Sequence, residues 1–112
     1  MKISVGIALV SSTLTGAKLG RFYAFAESKD FAYFGTYQEG SPVNALSIPL
    51  SSSPQVARRI KFMRSLMLEF QDAFDKVMLS SDYDDFKAGR LAPIAANLYW
   101  EARKAIETRE LR

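Results

Sequence analysis

Val56, Ile60, Met63, Met67, Phe70, Phe74 and Val77 recur at alternating intervals of four and three, the spacing that lines one face of an α-helix with apolar side chains. A stripe this persistent needs a large apolar surface to cover it, and the rest of the chain must supply one. Ser51-Ser52-Ser53-Pro54 marks the start. Serine caps free amides there, and proline at the first helical position gives up an amide that has no partner in any case. The spacing predicts a helix over residues 54–79, about 39 Å long at ~1.5 Å per residue. A compact chain of 112 residues has a diameter of about 34 Å. The helix therefore spans the body or projects beyond it, and its length points to a homodimer formed through it.

The first half of the chain carries the other periodicity. Ile3, Val5, Ile7 and Leu9 alternate with Ser4, Gly6 and Ala8, as along a half-buried strand. That alternation outweighs the loose likeness of Lys2 and the following apolar run to a short secretory signal. Strands are expected over residues 2–11, 21–27, 31–38 and 45–50, separated by turn-rich pieces. The polar linker Ser28-Lys29-Asp30 should join the second and third as a hairpin, and Pro49 restricts the fourth to an edge or a strand end. A second helix is expected over 91–110, with Ile94, Ala95, Leu98, Ala102, Ala105 and Ile106 on its inner face. Its alanines would lie against Met63, Met67, Phe70 and Phe74 in an antiparallel helix pair. The expected fold class is α+β: one domain over 1–112, with a small antiparallel sheet of three or four strands in 1–50 packed against a two-helix hairpin.

Composition excludes more chemistry than it supports. With no histidine and no cysteine, the chain lacks the usual general base near neutral pH, thiol nucleophiles, disulfides, and the imidazole and thiolate ligands of transition metals. Neither a Ser-x-x-Lys dyad nor a phosphate-cradling glycine loop is present. The expectation is a protein that is not an enzyme and uses no cofactor and no metal. Asp82, Asp84 and Asp85 form an acidic cluster, but a helix cap explains them better than a calcium loop, whose required glycine is missing. No run approaches the ~18 apolar residues of a membrane span, so no membrane partner is expected, and the absence of cysteine makes the cytoplasm the default location.

Charge is distributed unevenly. Of the net +3, residues 55–79 hold five basic against three acidic groups, while residues 80–112 are balanced at six and six. Arg58, Arg59, Lys61 and Arg64 crowd the first turns of the long helix, where the helix dipole disfavours cations by a few tenths of a kcal/mol each, about 0.3 or more. Helix energetics did not select this order. Two readings follow: neutralisation by Glu107 and Glu110 brought back on an antiparallel second helix, or a partner-binding patch. Aromatic residues concentrate in the hairpin, where Phe22, Tyr23, Phe25, Phe31, Tyr33, Phe34 and Tyr37 alternate between the two faces. If two helices cover one face, rings remain on the other. Tyr23, Tyr33 and Tyr37 are the expected exposed set, because their hydroxyls tolerate water.

Phe31-Ala32-Tyr33 followed by Ala45-Leu46-Ser47-Ile48-Pro49-Leu50 resembles the aromatic strand and Leu-Ser-x-x-Pro-Leu run in the amino-terminal module of HipA-type toxin kinases. The resemblance spans at most residues 3–54 with inexact spacing, and the helical half does not extend it, so no family is assigned from it. It implies a small antitoxin-like or kinase-regulating module. The functional expectation is a non-catalytic protein-protein interaction module of the regulator or inhibitor type, of phage, plasmid or toxin-antitoxin character. It would bind another protein through Tyr23, Tyr33, Tyr37, Arg58, Arg59, Lys61 and Arg64. Nucleic acid is the alternative partner, reached through the same basic cluster and aromatic strands.

Overall fold

A computed structural model describes residues 2–8, 20–50, 53–79 and 87–110. Four strands, β1 (Lys2–Ala8), β2 (Arg21–Glu27), β3 (Phe31–Tyr37) and β4 (Asn44–Pro49), form one antiparallel sheet in the order of the sequence. Helix α1 (Pro54–Leu79) follows, then a π-helical turn, Lys87–Leu91, that runs directly into α2 (Ala92–Glu110). This is the expected α+β arrangement of a sheet followed by two helices. Pro49 closes β4, and β4 is an edge strand. The expected end of the first strand at 9–11 and the acidic cluster at Asp82, Asp84 and Asp85 lie outside the described residues.

Local chemistry sets the joints. In the β2–β3 turn the Ser28 amide donates to the Phe31 carbonyl at 2.9 Å, and the Ser28 hydroxyl accepts the Phe31 amide at 3.2 Å. Gly40, at φ 86°, takes the left-handed conformation that lets β3 turn toward β4. The Ser53 carbonyl accepts the Ala57 amide at 3.1 Å, so Ser53 is the cap and Pro54 the first helical residue of α1.

The strand register sorts side chains into two faces. Ile3, Val5 and Ile7 share one face with Phe22, Ala24 and Ala26 of β2 and with Tyr33, Gly35 and Tyr37 of β3. This face packs against Leu98, Ala102 and Ile106 of α2, all almost fully buried. On the other face Phe25, Ala32 and Ile48 pack against Ile60, Met63 and Met67 of α1. One helix therefore lies on each face, in three layers. The inner faces of both helices are those the periodicity indicates, but their partner is different. Met63 and Met67 meet the sheet and not the alanines of α2, because the aromatic hairpin offers each helix a broader apolar surface than the other helix does. The carboxyl end of α1 reaches the first of these clusters, where Val77 is buried with Leu91 and Leu98, and Ala73, Phe74 and Met78 pack against it.

Gly6 fixes the approach of α1. A Cβ built there would lie 2.6 Å from the Phe70 carbonyl carbon and 2.8 Å from the Gln71 nitrogen, so helix and strand backbones are in direct contact. Beside this point Tyr23 stacks on Phe70 with centroids 4.5 Å apart and planes 10° from parallel. The body measures 44 × 26 × 24 Å. Its long axis accommodates the ~39 Å of α1, and Ile60, Met63, Met67 and Val77 of the helix stripe are buried within one chain. The length of α1 thus needs no second copy.

Candidate interaction site

The basic start of α1 lies on the surface, with Arg58, Arg59, Lys61 and Arg64 all exposed. Their ion pairing within the chain is not the neutralisation by Glu107 that one of the two readings expects. Because α2 is on the opposite face of the sheet, Glu107 is not brought to them; it pairs instead with Arg103 of its own helix at 2.7 Å. The side chain of Glu110 lies outside the described residues. Arg64 turns to the sheet and forms a two-pronged ion pair with Glu27, its Nη2 donating to Oε2 at 2.6 Å and its Nε donating to Oε1. Those hydrogen bonds hold the Glu27 carboxyl below its ordinary range despite the opposing effect of partial burial, and they raise the Arg64 guanidinium in turn. Arg58, Arg59 and Lys61 have no ion pair among the described residues.

Phe62, 63% exposed, stands between these cations. At about 100° per residue, Arg58 and Arg59 lie one turn before it on either side, and the exposed Ser65 and half-buried Leu66 lie one turn after it. The four-three stripe passes it by, falling on Ile60 and Met63 instead. That gap in the stripe is the sequence signal that would have identified it. Farther along the exposed face, Glu69, Asp72 and Asp75 reverse the charge, and Lys76 is paired with Asp72 at 2.9 Å.

A cleft of about 460 Å³ opens next to the Glu27–Arg64 pair, between the start of β1, the end of β2 and the middle of α1. Buried Ser4, Phe25 and Met67 line it, together with Lys2, Gln71 and the exposed Leu68. Its carboxylate, Glu27, is the one paired with Arg64. No side-chain polar atom buried in the described residues lacks a hydrogen-bond partner, and no group of three metal-ligating carboxylates occurs among them.

The tyrosines do not form a shared platform. Tyr33 is 4% exposed, lying over Gly35 beneath α2, and burial and the charge of Glu101 raise its phenol above the ordinary value. Tyr37 is half-buried on the same face, in tilted contact with Phe22 at 6.3 Å. Tyr23 occupies the opposite face, sandwiched against Phe70 and Phe34. The expectation of an uncovered aromatic face fails because the helices separate to cover both. Sequence reasoning also missed the exposed Trp100, which lies edge-on to Tyr99 and under the Arg103 guanidinium at 5.1 Å. No helix among the described residues is long and apolar enough to cross a membrane.

No protein-family model, no curated protein and no solved structure matches this chain.

Proposed function

We propose that the protein is a non-catalytic interaction module of the regulator or inhibitor type that grips an acidic patch on another protein through the amino-terminal half of α1. The observation that carries this reading is Phe62, largely exposed and flanked by Arg58, Arg59 and Lys61, which lack ion-pair partners among the described residues. An aromatic anchor ringed by cations is a common composition for a binding hot spot, and Arg contributes to such sites through planar, multidentate hydrogen bonding. The dipole of α1 opposes these charges, so the helix itself gains nothing from them.

A protein partner fits better than nucleic acid. Arg58 to Lys61 span about 4.5 Å of helix axis, and Glu69 and Asp72 follow on the exposed side. A duplex presents one phosphate per ~1.7 Å of its length, and a cationic footprint this short, ending in carboxylates, tracks such a backbone poorly. The test is affinity capture from host lysate with tagged wild type and with Phe62→Ala and Arg58→Glu/Lys61→Glu variants. One protein, retained after nuclease treatment and lost with both variants, is the expected result. Retention of nucleic acid alone, with a steep salt dependence, would overturn the reading.

A further inference from the structure

Of the two edge strands of the sheet, β1 is packed by α1 and largely covered, whereas most of β4 is exposed. The Leu50 amide donates to the Asp30 carbonyl at 2.8 Å, and β3 and β4 pair in one continuous register from Thr36↔Asn44 to Phe31↔Pro49. Backbone groups alternate sides along a strand, so residues 44, 46, 48 and 50 point their amides and carbonyls toward β3, and residues 45, 47 and 49 point theirs away from the sheet. No described strand takes up that outer row. Pro49 falls on the outward set, where its missing amide removes a donor from the open edge and not from the ladder.

This edge lacks the charges with which edge strands usually discourage pairing. Val43 to Leu50 includes no charged residue in a chain with 27 of them among 112, and neither helix shields its outer end: Asn44, Ala45 and Pro49 are exposed, and Leu46 is 40% exposed.

We infer that β4 pairs with β4 of a second copy of this chain, antiparallel about a two-fold axis through Leu46, to make one continuous eight-stranded sheet. The edge is complementary to itself in that register. Ala45 and Ser47 exchange both hydrogen bonds with Ser47 and Ala45 of the second copy, and the position lacking an amide, Pro49, falls at the end of the ladder opposite Val43. Leu46 meets its own equivalent in a close, non-hydrogen-bonded pair on the α1 side of the sheet, and so buries an exposed leucine against a leucine. All the cross-strand partners are uncharged. A foreign strand with alternating charges would match the hydrogen bonds equally well but would gain nothing from Leu46 or Val43, whereas the second copy satisfies both. An isologous contact also closes on itself and does not propagate into a fibre.

A short strand edge gives a small interface, so the dimer is expected to dissociate between about 1 µM and 1 mM. Sedimentation of the purified full chain from about 10 µM to 2 mM should show monomer converting to dimer across this range. Leu46→Lys and Leu46→Glu should each be monomeric throughout, because like charges then face one another across the axis. An equimolar mixture of the two should recover the dimer, since only the register through Leu46 places position 46 opposite itself. Ser47→Pro, which removes an outward amide and leaves the ladder to β3 intact, should weaken the dimer by about tenfold or more. Circular dichroism confirms that each variant is folded, and Ala45→Lys replaces any that is not. A wild type that stays monomeric to the highest concentration, a Leu46→Lys variant that dimerises like wild type, or a charge-swapped mixture that stays monomeric would each overturn the inference.

Discussion

At the residue scale, two positions settle more of this structure than their size suggests. The first has no side chain at all. Gly6 lets the backbone of α1 lie directly on β1, and an added methyl group would meet the Phe70 carbonyl carbon and the Gln71 nitrogen, neither of which can rotate away as the end of a side chain could. Gly6→Ala should therefore lower the unfolding free energy by about 1 to 3 kcal/mol, the range for overpacking, as measured in urea. Such a contact could not be read from the sequence, where Gly6 appears as one small residue alternating with Val5 and Ile7. The second is Glu27, whose bond to Arg64 holds its carboxyl below the ordinary range. A carboxyl lowered on folding contributes stability above the unfolded value of ~4.3, and that contribution disappears as pH falls through the folded value. Arg64 remains 56% exposed, so screening limits the effect. Glu27→Gln should cost less than about 1 kcal/mol near neutral pH, and the urea midpoints of variant and wild type should converge in acid. A gap that widens on acidification would contradict this pairing.

At the element scale, the two helices show which part of a pattern is legible and which is not. The stripe and its serine-proline cap define α1 because both are local: the spacing fixes the apolar face, and Pro54 fixes the first turn. The inner face of α2 follows from the same logic at Leu98, Ala102 and Ile106. What covers a stripe is not local. A helix face records that it is apolar and does not record whether a helix or a sheet lies opposite, so the helix pair expected from bulky methionines facing alanines became two separate helix-sheet contacts. Met67→Ala should cost about 2 to 5 kcal/mol by opening a cavity against Phe25 and Ala32, whereas Leu68→Ala, one position along but 69% exposed, should cost well under half as much. Chemical denaturation of the two variants side by side checks the assignment. Equal losses would mean that the stripe of α1 is turned away from the sheet.

For the whole molecule, placing one helix on each sheet face decides which of the hairpin rings are covered. Sequence alternation correctly put rings on both sides of the hairpin, but the choice of a free face rested on both helices sharing the other one. With Tyr33 buried beneath α2 and Tyr23 stacked on Phe70, those rings belong to the packing of the three layers. The proposed binding surface is then the outer side of α1, where the exposed basic residues singled out from the sequence surround Phe62, which the stripe leaves unassigned. This separates stability from binding in a measurable way. Replacing Tyr33 and Tyr37 together with alanine removes a fully covered ring and a half-covered one, and should cost about 3 to 5 kcal/mol or more in unfolding free energy. Phe62→Ala removes an exposed ring and should change stability by less than about 0.5 kcal/mol, the usual range for surface substitutions, while abolishing capture of the acidic partner. Thermal unfolding and capture measured on the same two preparations therefore give opposite patterns. If the tyrosine variant keeps its melting temperature and loses the partner, while Phe62→Ala keeps the partner, then the hairpin carries the binding surface and the covering of both faces by α1 and α2 is wrong.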